Sequence, residues 1–145
     1  MIMKFSYKFS DAIHLLAYLD IYQNGDLSSR RIADSIEANP SVVRNLMRDL
    51  KKAGLILTHQ GSATPSLAKQ PAKISLYDIY TAVDINHDLI HVDPNTNPAC
   101  IVGGNIQTTL QDAYDRIQQA AFNEMKAISL QDIIDGILNN QQRSL

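Results

Sequence analysis

Apolar positions recur along the chain at helical spacing in several separate stretches. Phe9, Ala12, Ile13, Leu16, Ala17 and Leu19 form the first; they predict an amphipathic helix capped by Ser6 and ended by Asn24-Gly25-Asp26. Ile32, Ala33 and Ile36 mark a short second helix with Ser28 or Ser29 as its cap, and Val43, Leu46, Met47 and Leu50 mark a third. The third can be placed closely. Asn39 is a good N-cap, Pro40 falls on the first helical position where its missing N–H costs nothing, and Gly54 can take the left-handed conformation that ends a helix.

Beyond Gly54 the pattern changes. Leu55-Ile56-Leu57-Thr58-His59 is β-prone, Gly61 to Pro65 reads as a turn, and Ser66-Leu67-Ala68 as a return strand, so a small wing is expected. Ile74-Ser75-Leu76-Tyr77-Asp78-Ile79 and Ile128-Ser129-Leu130-Gln131-Asp132-Ile133 share one form. Each is a helix start with a serine cap and an acid three residues on, an aspartate version of the capping box. Their flanks do not match, so they read as convergent helix starts and no repeat architecture. The first helix runs to about Asp84; the second is a short last helix carrying Ile133, Ile134, Ile137 and Leu138. Between them, Asn86 to Asn105 holds Asp93-Pro94, Asn97-Pro98 and Gly103-Gly104 and predicts a long, loosely ordered loop. A helix from about Asn105 to Lys126 follows, in which Ile106, Leu110, Ala113, Ile117 and Ala120 form a seam suited to helix pairing.

These elements make a mainly α fold with a small β wing: a winged helix-turn-helix over residues 1–84, a sensor or linker loop over 85–104, and a dimerisation helix with a terminal short helix over 105–145. Opposite the packing stripe of the third helix stand Ser41, Arg44, Asn45, Arg48 and Lys52, the residue types that read base edges and grip phosphates. An ordinary solvated face carries similar residues. The short preceding helix and the tight turn before Pro40 favour a DNA reader, with Ser28, Ser29, Arg30, Lys52, Gln60 and Lys69 as positioning contacts. His59 is a further wing candidate, and a hairpin that only covers the core is an equal alternative. The seam could pack on the chain's own first helix, but operator readers of this kind act as dimers, which favours a partner subunit.

Composition fits this picture. The 145 residues are 45% hydrophobic and 19% charged, as in soluble globular proteins. A net charge of −2 is unusual for a nucleic-acid binder until it is divided: residues 1–74 carry +4 and the remainder −6. A basic front half suits an approach to phosphate. No secretory signal or membrane-spanning run is visible, so a cytoplasmic protein is expected. Glycine-rich phosphate loops, nucleophile elbows and clustered acid/base sets are absent, which leaves an enzyme without support.

The remaining chemistry is sparse. His14 lies among aliphatic residues and reads as a core-edge histidine. His87, His91, Asp93 and Cys100 could approach one another, yet they fall in a Pro/Asn-rich loop where spacing guarantees nothing, and no metal site is assigned. Gly103-Gly104 before Asn105 could offer backbone N–H groups to a small anion. Cys100, the single cysteine, excludes an intrachain disulfide and a cysteine-only cluster within one chain. It is a sensor candidate if the field of the following helix favours its thiolate, and otherwise a small buried hydrophobe.

In order and spacing, Met3-Lys4-Phe5-Ser6, Ser28-Ser29-Arg30-Arg31-Ile32-Ala33, Leu50-Lys51-Lys52-Ala53-Gly54-Leu55-Ile56, Leu67-Ala68 and Ile74 to Ile79 resemble the Rrf-type winged-helix regulators, the bacterial family of IscR, NsrR and CymR, and especially its YwnA-like members without a cluster. The resemblance implies a homodimer joined through the long C-terminal helix, recognition helices in successive major grooves of a palindromic operator, and repression. By position it places Ser41, Arg44 and Asn45 on the recognition contacts and Gln60-Gly61 on the wing's Arg-Gly pair. This chain departs in two ways: Gln60 replaces the minor-groove arginine, and Cys100 stands where cluster-binding members have three cysteines, so no iron-sulfur cofactor is implied. The expected function is a homodimeric repressor that binds double-stranded DNA and is controlled by an effector or by thiol redox state. The alternative is an adaptor of the same fold with weak or partner-dependent DNA binding, for example through a partner enzyme.

Overall fold

A computed structural model describes residues 6–58, 64–84 and 88–144. The elements run α1 (Lys8–Ile21), α2 (Ser29–Ile36), α3 (Pro40–Lys52), β1 (Ile56–Thr58), β2 (Pro65–Leu67), a 3-10 turn (Pro71–Lys73), α4 (Leu76–Val83), α5 (Ile106–Ala127) and α6 (Leu130–Arg143). Leu15, Leu16 and Leu19 of α1, Ile32 of α2, and Val43, Leu46 and Leu50 of α3 build one core, closed below by Ile56, Ile74 and Ile79. Helical spacing on three short helices thus converges on one centre, each helix burying one stripe and leaving the other in water.

The strands pair antiparallel with Ile56 opposite Leu67 and Thr58 opposite Pro65. The return strand therefore sits one residue earlier than Ser66–Ala68, with Pro65 at the start of an edge strand, where its missing N–H is tolerated. His59 to Gly61, including Gln60, lie outside the described residues.

Helix ends follow the cap chemistry. Ser28 Oγ accepts from Arg31 N at 3.3 Å, Asn39 Oδ1 accepts from Ser41 N at 3.1 Å, and Gly54 has φ +78°. Leu55 N donates to Leu50 O and Gly54 N to Lys51 O, both at 3.0 Å, which is a Schellman ending. The first helix is shorter than predicted: it starts at Lys8 with Tyr7 as cap and stops at Ile21, and Gly25 N closes a turn onto Tyr22 O at 2.8 Å. Ser6 still contributes, its Oγ accepting from Lys8 N at 3.3 Å.

The two Ile-Ser-Leu segments are adjacent in space. Ser75 and Ser129 form an antiparallel bridge; Leu76 N donates to Ile128 O at 2.9 Å and Leu130 N to Ile74 O at 2.8 Å. Each is a complete capping box, with Asp78 N to Ser75 Oγ at 3.0 Å and Asp132 N to Ser129 Oγ at 3.1 Å. Their likeness reflects a shared junction, at which one helix start donates to the carbonyl preceding the other. Leu130 and Ile134 join the central core, and α6 spans 14 residues, longer than the short last helix expected.

Candidate nucleic-acid interface

α3 carries the exposed row. Val43, Leu46 and Leu50 are buried while Ser41, Arg44, Asn45, Arg48 and Lys52 are exposed. Among the described residues, the side chains of Arg44, Asn45 and Lys52 make no hydrogen bond or ion pair, and Arg48 meets only Asp49, with Nε 3.9 Å from Oδ1 and its side chain 72% exposed. A solvent-screened pair of that length contributes little, so Arg48 can leave it for a phosphate. Ser41 Oγ donates to Asn39 Oδ1 at 3.1 Å, which holds the hydroxyl at the first turn of α3.

The turn that presents α3 has a feature the sequence did not reveal. Glu37, the C-cap of α2, has φ +59° and ψ +47°. A non-glycine residue in that region costs about 1 kcal/mol or more, and it is held there by Ala38 N bonding to Ala33 O at 3.0 Å. The strain lets eight-residue α2 turn into α3 within three residues.

Ser28 and Arg30 line one shallow depression with Asp26, Arg31 and Asp34. The Ser28 hydroxyl is committed to capping α2, and its N–H donates to Asp26 Oδ1 at 3.0 Å. That backbone bond, followed by one from the Ser28 side chain, holds the exposed Asp26 carboxyl below its ordinary range. Ser29, the first residue of α2, is half-buried. Lys69 lines an open depression together with the return strand, Asp20 of α1 and Gln23 just past its end.

α5 is attached mainly through aromatic contacts. Phe122 lies 5.2 Å from the Tyr77 ring and 5.7 Å from that of Tyr80, and Lys126 Nζ sits 4.6 Å from the centre of Tyr77. The buried Tyr80 phenol is pushed up by burial first and then by the Asp84 carboxylate. None of the 22 residues of α5 is buried. In the seam, Ala113, Ile117 and Ala120 are exposed, and Ile106 and Leu110 are half-buried; Ile117 is 51% exposed.

The segment before α5 is better ordered than its composition predicts. Leu89 N donates to Gln118 Oε1 at 2.8 Å and Gln107 Nε2 to Asp93 O at 3.1 Å, strapping it along the helix. Thr96 Oγ1 donates to Gly103 O at 2.6 Å. A Cβ on Gly103 would overlap the Asn97 carbonyl, and one on Gly104 would come within 2.9 Å of Pro98 O. Cys100 is exposed and not a buried hydrophobe. Its thiol is lowered by the N–H groups of Gly103 and then Val102; the donors are turn amides, where the field of α5 was expected. Ile101 beside it is 83% exposed.

The fold and the free basic face of α3 define a winged helix-turn-helix regulator that binds DNA. Residues 5–136 match the Rrf2 family, described as an iron-dependent transcriptional regulator, and the chain belongs to that family. It is 40% identical over 124 residues to the HTH-type transcriptional regulator YwnA of Bacillus subtilis (strain 168), covering 86% of this chain and 92% of the relative. The crystal structure of a DNA binding protein superposes with a TM-score of 0.70 at 35% identity, over 88% of this chain and 98% of the other. CymR, the global cysteine regulator of B. subtilis, shares the fold with a TM-score of 0.67 at 20% identity, over 92% of this chain and 98% of its own. The chain is a transcriptional regulator and not an enzyme.

Among the described residues, the donor set falls short of the iron in the family's description. Among the described residues no three His, Cys, Asp or Glu side chains come together as metal ligands. His87 lies outside the described residues, and one thiol per chain falls short of the ligands that an iron-sulfur cluster takes. Among the described residues no helix is long and apolar enough to cross a membrane.

Proposed function

We propose that the protein is a cytoplasmic homodimeric repressor that reads a palindromic operator through Ser41, Arg44, Asn45 and Arg48 and works without an iron-sulfur cluster. The observation that carries this reading is the exposed row on α3, whose cations are held by nothing stronger than one long surface pair. Ser28, Ser29, Arg30, Lys52 and Lys69 supply positioning contacts, with Gln60 from the wing. The seam of α5 supports a partner subunit, since Ala113, Ile117 and Ala120 are exposed and no side chain of this 22-residue helix is fully buried by its own chain.

Control acts at the Cys100 loop or at the dimer helix. Oxidation of the Cys100 thiol, in the segment strapped along α5 at Leu89 and Asp93, would tilt the two halves and move the recognition helices away from the roughly 34 Å that one turn of DNA demands. The experiment is selection of bound fragments from randomised DNA at physiological salt, with and without a thiol oxidant. An enriched palindrome is expected, and its loss on oxidation in wild type but not in Cys100→Ser locates the switch. No enrichment in either condition would replace this reading with the adaptor of the same fold.

A further inference from the structure

An open groove of about 730 Å³ lies between α1, α2 and the C-terminal half of α6. α6 is buried against the core at Leu130 and Ile134, but Ile137 and Leu138, which line the groove, remain 42% and 44% exposed. The Tyr18 and Tyr22 rings line one side, their centroids 4.7 Å apart and their planes tilted by 41°. At the wall, His14 Nε2 and Ser35 Oγ are 2.8 Å apart and tie α1 to α2. No Asp, Glu, Lys or Arg lines the groove.

These features select a chemistry. The volume lies within the roughly 300 to 1,000 Å³ of small-molecule sites, which pair apolar and aromatic walls with a few placed polar groups. The tyrosine pair suits a flat body. The His14–Ser35 pair can exchange its own hydrogen bond for one donor and one acceptor toward a ligand head, whereas an ionic head would find no countercharge among the lining residues. We propose that this groove is an effector site for a small, uncharged aromatic or alicyclic molecule bearing one hydroxyl, carbonyl or amide head. Ser35 sits on α2, the helix that leads into the reading helix, so an occupant that prefers one placement of α2 against α1 shifts DNA affinity; that consequence rests on the regulator reading above.

The full-length protein is titrated with 1-naphthol and, separately, with 1-naphthoate, following backbone amide and His14 ring resonances. Saturable shifts confined to residues around 13–22, 35 and 137–141 are expected with 1-naphthol, with naphthoate binding at least tenfold more weakly. Leu138→Arg, at an exposed position, and His14→Ala should each weaken 1-naphthol at least tenfold, with melting curves showing that both variants fold. Absence of saturable shifts, equal binding by Leu138→Arg, or a preference for naphthoate overturns the proposal. So does dissociation of a wild-type dimer by Leu138→Arg in sedimentation, which would make the groove the seat of a second copy. Selection of DNA by the same samples separates the two readings: an enriched operator without naphthol binding removes only the groove, and naphthol binding without an operator removes only the repressor.

Discussion

Glu37 and Gly54 end consecutive helices in the same left-handed conformation, with φ +59° and +78°, but only one is a residue suited to it. Glu37→Gly should therefore stabilise the fold by up to about 1 kcal/mol, the relief of the Cβ clash less the entropy a glycine loses, seen as a rise in thermal midpoint. Gly54→Ala should cost about 1 to 2 kcal/mol in the same measurement. Cys100 offers a second test at this scale. Its thiol is lowered by the Gly103 and Val102 amides, and Gly103 packs on the Asn97 backbone with no room for a side chain. Gly103→Ala should displace those donors and raise the thiol, so the rate of alkylation by iodoacetamide at neutral pH should fall and its pH midpoint move upward. An unchanged midpoint would mean that the turn does not tune the sulfur.

At the level of elements, the decisive junction is the bridge between Ser75 and Ser129. Each serine both caps a helix and belongs to the backbone pair that brings α6 back to the core. Ser75→Ala and Ser129→Ala should each cost about 0.5 to 2 kcal/mol, and the double variant should depart from additivity because the two caps share one junction. Chemical denaturation of the three variants measures the coupling; strict additivity would show that the caps act independently. The sequence displayed both capping boxes but not their contact, because the similarity of two helix starts says nothing about proximity. The segment before α5 shows a similar gap: its Pro, Asn and Gly content marked a loop, whereas it is strapped down by Gln107 and Gln118, in the first and fourth turns of the next helix.

For the whole molecule, the two functional surfaces are separately testable. Arg44→Ala should relax base preference at one operator position by about 1 to 3 kcal/mol, and Lys52→Ala should weaken binding across sequences while lowering the salt slope by about 1; binding isotherms over a salt series distinguish them. Ile117→Glu places a charge in the middle of the exposed α5 seam, where Ile117 is 51% exposed in the single chain. It should leave the monomer folded and abolish the dimer in analytical ultracentrifugation. A chain that remains dimeric would move the subunit contact away from this seam.

Local chemistry in the sequence determined most of the reading head. Asn39, Pro40 and Gly54 set the limits of α3, and the stripe of Val43, Leu46 and Leu50 decided that Ser41, Arg44, Asn45, Arg48 and Lys52 would face outward, because caps and helical periodicity act over a few residues. Tertiary structure alone decided what those local rules cannot reach. It brought Ser75 to Ser129, set His14 against Ser35 across 21 positions of chain, fastened α5 through Phe122, and left Ala113, Ile117 and Ala120 of its seam exposed. Contacts between distant segments depend on which helices pack together and at what angle, and that is fixed by how the buried stripes fill one core, a property of the assembled fold that no single stretch of sequence contains.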